Sequence, residues 1–170
     1  MNTPRFVLAV LPALLLSLAA CTTMPTPDPG PDPCLGNNPS AAASAWQGPP
    51  PYTGKDSFTN IVLRKGAVLY TLTPGGTPGF AVDDDTLAQA GGSVARYYEL
   101  VQVSTDPGTD AHGKPRKLRE NVRAYQANAD LCVAFGKALA NPQFGKGGGT
   151  QYYVVPADAG KLAPGAVRPI

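Results

Sequence analysis

The sequence predicts a small α+β domain with strands dominant and one core, preceded by an N-terminal stretch that does not pack. Three observations carry this expectation. Nine of the 19 prolines lie between Cys21 and Tyr52 and only five between Lys55 and Val155, so the residues that break helices and sheets are gathered at one end. The remainder, roughly 100 residues, is enough for a single core and too short for several domains. Within it the apolar residues fall in short runs rich in β-formers, with no sustained heptads, which excludes a coiled coil. A formal net charge of +2 gives no electrostatic ground for a nucleic-acid partner.

At the N-terminus, Arg5 followed by the apolar run from Phe6 to Leu18 reads as a secretory signal over residues 1–20, too short to span a membrane. The run ends in Leu18-Ala19-Ala20-Cys21, which resembles the lipobox of bacterial lipoproteins, where the cysteine receives diacylglycerol and becomes the mature N-terminus. Acyl chains on Cys21 would bury ample CH₂ for stable anchoring. The expected location is therefore the bacterial envelope, at the outer membrane or cell surface, with the lipid as membrane contact. Residues 21–54 then form a lipidated, proline-rich tether biased to polyproline II. With Cys21 acylated, Cys34 and Cys132 remain as an even pair in an oxidising compartment, where a disulfide is expected. Two distant thiols and one histidine do not make a metal site.

The globular domain is expected over residues 55–170. Residues 58–64 and 67–72 read as two strands joined by a tight turn at Lys65-Gly66, or as one bulged strand. Residues 97–103, YYELVQV, read as a third strand and 151–155 as a fourth. Asp83-Asp84-Asp85 leading to Gly91 reads as a short helix with an aspartate cap and a glycine stop, in preference to a Ca²⁺ loop, since no spaced oxygen donors follow. Leu118, Val122 and Tyr125, then Leu131, Phe135 and Leu139, recur at helix-like intervals and predict a helical or mixed segment over 117–140. His112 stands in a polar stretch and reads as solvent-exposed. The basic run Lys114, Arg116, Lys117, Arg119 and Arg123 reads first as a solvated face, with an anion or headgroup site as the alternative.

Gly147-Gly148-Gly149 feeding a strand that begins Thr150-Gln151-Tyr152 lets backbone approach a ligand closely and puts a polar side chain at the strand's start. RKG at 64–66, PGGTP at 74–78, YYELVQV at 97–103 and FGKGGGTQY at 144–152 come in an order that resembles the tuberculosis necrotizing toxin-like NAD⁺ glycohydrolases, here set on a bacterial lipoprotein. Tyr98 stands where that family more often carries a histidine, and residues 105–140 have no counterpart in it. The resemblance implies an ADP-ribosyltransferase-like fold, NAD⁺ as substrate, no cofactor, and an immunity protein or another envelope component as protein partner. It implies Gln151, Arg64 and Tyr98 as catalytic residues. Arg64, Tyr70, Phe80, Tyr97, Phe144, Gly148 and Gly149 would bind NAD⁺, with Arg64 on the phosphates, an aromatic ring on the nicotinamide and Gln151 on the ribose.

The functional expectation is thus an exported, lipid-anchored NAD⁺-binding protein that hydrolyses the nicotinamide–ribose bond. Its competitor is a non-catalytic envelope lipoprotein with a degenerate site, which binds a protein or cell-wall partner. Cys21→Ser should release the protein from the membrane fraction of its host into the soluble fraction; equal partitioning of variant and parent would overturn the lipid anchor.

Overall fold

A computed structural model describes residues 30–75, 79–109 and 111–170. The signal segment 1–20, Cys21 and Gly76-Thr77-Pro78 of the PGGTP turn lie outside the described residues. Residues Pro31–Ile170 form one compact unit. In chain order its elements are α1 (Pro39–Trp46), β1 (Phe58–Leu63), β2 (Val68–Thr73), β3 (Phe80–Ala81), α2 (Asp84–Ala90), α3 (Val94–Leu100), β4 (Asn121–Ala127), β5 (Leu131–Lys137), β6 (Thr150–Tyr153) and β7 (Leu162–Pro169). Two antiparallel sheets result, one ordered β1-β5-β6-β3 and one ordered β2-β4-β7. The strand-rich α+β class expected from the sequence is the one observed.

The first two strands are where the sequence puts them, but they are not partners. β1 pairs with β5 from Phe58 opposite Gly136 to Leu63 opposite Leu131, and β2 pairs with β4 from Val68 opposite Gln126 to Thr73 opposite Asn121. The turn at 64–67 therefore carries the chain from one sheet to the other, and residues 128–130 carry it back. Both crossings lie at the same end of the sheets and are fastened together. Gly66 N–H donates to Ala127 C=O at 2.7 Å and Ala127 N–H to Ala67 C=O at 2.8 Å. Asp130 accepts from Lys65 N–H and from Arg64 Nη1, both at 2.7 Å. These two donors hold the Asp130 carboxyl below its ordinary pKa, the backbone N–H contributing most.

β5 is buried on both faces, which explains its continuous apolar sequence. Leu131 and Val133 point between the sheets into a core with Leu63, Leu69, Ala81, Val154 and Leu162. Ala134, on the opposite face, packs with Ala43 of α1 and with Tyr153. A second core under α2 and α3 joins Tyr70, Val82, Leu87, Tyr97, Tyr98, Leu100, Val101 and Val122.

α2 matches its expectation in detail. Asp83 accepts from Thr86 N–H at 2.9 Å, and Gly91 closes the helix at φ 60°. Three other expectations are corrected. Residues 97–103 are not a strand: Ser93 caps α3 by accepting from Arg96 N–H, and Val94, Tyr97, Tyr98 and Val101 occupy one helical face. Residues 117–140 are not helical but hold β4 and β5. A spacing of four residues satisfies a strand's period of two as well as a helix's 3.6, and the apolar intermediates Ala124 and Val133 belong to the strand pattern. The tether of 21–54 is shorter than expected, because α1 packs on β1 and β5. Asn38 Oδ1 accepts from Ala41 N–H, and Asn60 Oδ1 on β1 accepts from Ser40 N–H at 2.8 Å.

Cys34 and Cys132 are disulfide-bonded across 98 residues, pinning the segment before α1 to β5. In the chain-entropy picture a loop of this length contributes about 4–5 kcal/mol. Reduction should lower the melting temperature by on the order of 10 °C. In the native oxidised protein neither Cys34 nor Cys132 should react with an alkylating reagent followed by mass; labelling of both would overturn the bond.

Candidate functional site

Because both crossings lie at one end, the other end of the sheets is open. Gln151 pairs with Gly136 near the end of β5 remote from Leu131, so β6 begins at this open end. α3 and the segment 138–149 close it in part. The last carbonyls of a helix have no partner within the helix and need donors from elsewhere. Gly147 N–H donates to Glu99 C=O at 3.1 Å, Gly149 N–H to Leu100 C=O at 2.9 Å, and Gln151 Nε2 to Val101 C=O at 3.0 Å. Glycine is required by this approach: a Cβ on Gly149 would stand 2.8 Å from the Leu100 oxygen, and one on Gly147 (φ +66°) would run into the Ala138 carbonyl. The glycine run therefore caps a helix, where the sequence suggested a ligand cradle at Gly148 and Gly149.

What α3 and the glycine segment leave unfilled is a cavity of about 360 Å³. Gln151, Arg119, Tyr97 and Phe80 line it, together with Trp46 and Tyr52 from the N-terminal segment. Gln151 is 7% exposed, and its Oε1 is a buried acceptor with no partner among the described residues. The reverse amide orientation would set that oxygen against the Val101 carbonyl, so helix capping fixes which end of the amide is the unpaired acceptor. Burial pushes the Tyr97 phenol well above its ordinary pKa, the nearby Arg119 charge opposing this, and the phenol stays protonated at neutral pH.

The cavity's one carboxylate among the described residues is engaged. Asp56 Oδ1 accepts from Leu139 N–H at 2.7 Å and Ala140 N–H at 2.8 Å, and its Oδ2 accepts from Gln47 Nε2 at 2.9 Å. Asn141 Oδ1 accepts from Thr53 N–H and Gly54 N–H, tying the loop before β1 to the same wall. Gln102 (φ 49°) donates to Gly145 C=O and accepts from Asn141 N–H. These buried polar groups build the wall. Among the described residues no cluster of His, Cys, Asp and Glu is arranged to hold a metal ion.

Of the residues singled out from the sequence, Gln151, Phe80 and Tyr97 meet at the cavity. Arg64 does not: it is 74% exposed and braces the sheet crossing through Asp130. Tyr70 donates to Asp84 Oδ2 at 3.0 Å, with the Arg168 guanidinium over its ring. Tyr98 is buried, its hydroxyl bonded to the backbone of Arg119. Phe144 stacks edge-on with Tyr52 at 5.3 Å, supporting a lining residue from behind. His112 is exposed. Trp46 and Tyr52 had no signal that marked them, since they sit in the stretch read as tether; Arg119 belongs to the basic run read first as a solvated face, with an anion site as the alternative.

Fold and cavity together describe a disulfide-braced, strand-rich domain with a pocket lined by polar and aromatic side chains. A family model described as the Rhs1 C-terminal toxin domain matches residues 35–156, and the chain belongs to that family. A solved structure described as Rhs1-CT in complex with its cognate immunity protein RhsI1 is 33% identical, covers 79% of this chain and 97% of its own, and superposes with a TM-score of 0.66. A second, Tse6 in complex with Tsi6, is 15% identical over 65% of this chain and 73% of that one, with a TM-score of 0.42, too slight a likeness to carry an inference. No curated protein matches.

The family match overturns the identification as a tuberculosis necrotizing toxin-like domain. The segments that carried that resemblance have other physical roles: RKG is a braced sheet crossing, YYELVQV is largely a helix, and GGG is that helix's cap.

Gly149→Ala should lower stability by about 1–3 kcal/mol, because the added Cβ forces the loop off the α3 carbonyls and unpairs them. Denaturant unfolding of the variant measures it; an unchanged midpoint would sink the capping role.

Proposed function

We propose that this toxin domain binds NAD⁺ in the 360 Å³ cavity and hydrolyses its nicotinamide–ribose bond. The observation that carries the reading is Gln151 Oε1 on a residue of the cavity wall: a buried acceptor without a partner among the described residues, on a side chain whose other end is used elsewhere. Leaving such a group unpaired costs about 1–3 kcal/mol, which a ligand hydroxyl or amide recovers. NAD⁺ offers both, on its ribose and its carboxamide. Phe80, Tyr52 and Trp46 supply flat faces for a cationic ring, and Tyr97 a protonated phenol. The two antiparallel sheets with a pocket at their open end support the ADP-ribosyltransferase-like assignment that forms part of this proposal.

The chemistry suits a site whose carboxylate is structurally committed. In hydrolysis the C1′–N1 bond breaks, its electron pair leaves on the nicotinamide nitrogen, and that ring loses its positive charge. A water oxygen bonds to C1′ and its surplus proton passes to solvent, giving ADP-ribose, nicotinamide and H⁺. The leaving group needs no protonation, so positioning and stabilisation of the cationic ribose suffice. Gln151 Oε1 is the acceptor that orients the ribose or the water.

The same proposal keeps the chain at the bacterial envelope through acylated Cys21, supported by the Leu-Ala-Ala-Cys run. An immunity protein is its proposed partner, supported by the 33% identical neighbour, which is bound to one.

The purified protein should release nicotinamide from NAD⁺, and Gln151→Ala should slow turnover by about 100-fold while weakening NAD⁺ binding less. Circular dichroism confirms that the variant is folded. Failure of the parent to bind NAD⁺ at millimolar concentration would overturn the reading.

A further inference from the structure

We propose that Arg119 grips the diphosphate of the substrate and that Tyr98 is a positioning residue that holds Arg119 over the cavity. The inference rests on the reading of the cavity as an NAD⁺ site. A dinucleotide carries a diphosphate between its two ribosides, so a cavity that takes the nicotinamide end at Gln151 needs a cation within reach. Arg119 is the single Lys or Arg among the described cavity-lining residues. Arg64, Arg96 and Arg168 each have a carboxylate partner, whereas among the described residues none pairs with Arg119. Its Nη1 lies 3.6 Å from the position a Cβ would take on Gly75, another residue of the cavity wall, so the guanidinium lies against the backbone at the end of β2. A guanidinium presents parallel N–H donors that match two phosphate oxygens.

The backbone around Arg119 belongs to no helix or strand, yet it is fixed. The Tyr98 hydroxyl donates to Arg119 C=O at 3.3 Å and accepts from Arg119 N–H at 3.2 Å. Tyr98 is 3% exposed and sits in the core beneath α3, the helix whose last carbonyls are capped by the glycine segment and by Gln151. One helix therefore references two parts of the substrate, the nicotinamide riboside and the diphosphate: Val101 C=O orients Gln151, and the Tyr98 phenol locates Arg119. A histidine in place of Tyr98 could not offer one atom as both donor and acceptor to the same residue. This gives Tyr98, expected from the sequence among the catalytic residues, a role one residue removed from the substrate.

Steady-state NAD⁺ hydrolysis tests both parts, with ADP-ribose as a competing product that retains the diphosphate. Arg119→Ala should raise KM for NAD⁺ and weaken inhibition by ADP-ribose by about tenfold or more, with kcat changed less, because the contact is made before and during reaction alike. Tyr98→Phe should move KM in the same direction by a smaller factor. In an Arg119→Ala background it should raise KM no further, although it still lowers the melting temperature. Arg123→Ala, which removes a cation bonded to Gly165 C=O on β7, should leave the kinetics unchanged. A KM for Arg119→Ala within twofold of an active parent overturns the grip. A Tyr98→Phe protein that melts earlier with the parent KM reduces Tyr98 to a core residue. A parent that neither hydrolyses NAD⁺ nor binds ADP-ribose fails at the earlier step, the nature of the pocket itself.

Discussion

The structure depends on the joint where the chain passes twice between its sheets. The β1–β2 and β4–β5 connections run side by side at one end, laced by Gly66, Ala67 and Ala127 and locked by the Asp130 carboxylate on Lys65 and Arg64. Two sheets fastened at one end separate toward the other as each follows its own twist. Between them near the joint lie the apolar side chains of Leu63, Leu69, Leu131 and Val133; beyond these the space must be closed by something else. α3 and the glycine segment close it, and their incomplete fit is the cavity. The arginine that a search for phosphate ligands picks first, Arg64, belongs to the joint, which explains its carboxylate partner and its distance from the pocket.

At the open end a structural requirement and a chemical one meet in the same side chain. Helix α3 ends in carbonyls that its own backbone cannot satisfy, and the chain supplies Gly147 N–H, Gly149 N–H and Gln151 Nε2 in succession. A leucine at 151 would fill the same space with less polar cost, but it would leave Val101 C=O unpaired. Glutamine satisfies the helix with its amide nitrogen and is left with an oxygen to spare. Asp56 is the opposite case: a buried charge whose lone pairs are spent on Leu139, Ala140 and Gln47. Burial alone does not distinguish a reactive polar group from a structural one; the partner count does.

Legibility of the sequence followed the range of the interactions that decide each element. α2 was readable because its signals, Asp83 and Gly91, are local. β1, β2 and β6 were readable as runs of β-formers, but not the sheet each would join; for β1 and β2 that is settled by partners 48 to 78 residues away in β5 and β4. α3 was misread because Tyr and Val favour strands by propensity while Ser93 and the buried face from Val94 to Val101 favour a helix, and burial prevailed. β4 and β5 were misread because a four-residue interval does not discriminate between the two periods. At the site, Gln151 was visible as a polar residue after glycines. Arg119 was visible only as one of five cations in a basic run; what sets it apart is Tyr98, 21 positions earlier, whose two hydrogen bonds to its backbone no pattern of charge encodes.

The cross-link from Cys34 also determines how the molecule bears force. A pull on the chain upstream of Cys34 does not begin by peeling α1 away from the sheet; it passes through the sulfur bridge directly into β5. That strand is held on both edges, by β1 and by β6, so the load is shared by two ladders of hydrogen bonds at once. Once the bridge is opened, the same pull acts first on Asn38, Ser40 and the rest of α1. Behind them come Trp46 and Tyr52, and with them one wall of the pocket. Oxidised, the chain is loaded through a strand paired on both edges; reduced, through the segment that shapes its cavity.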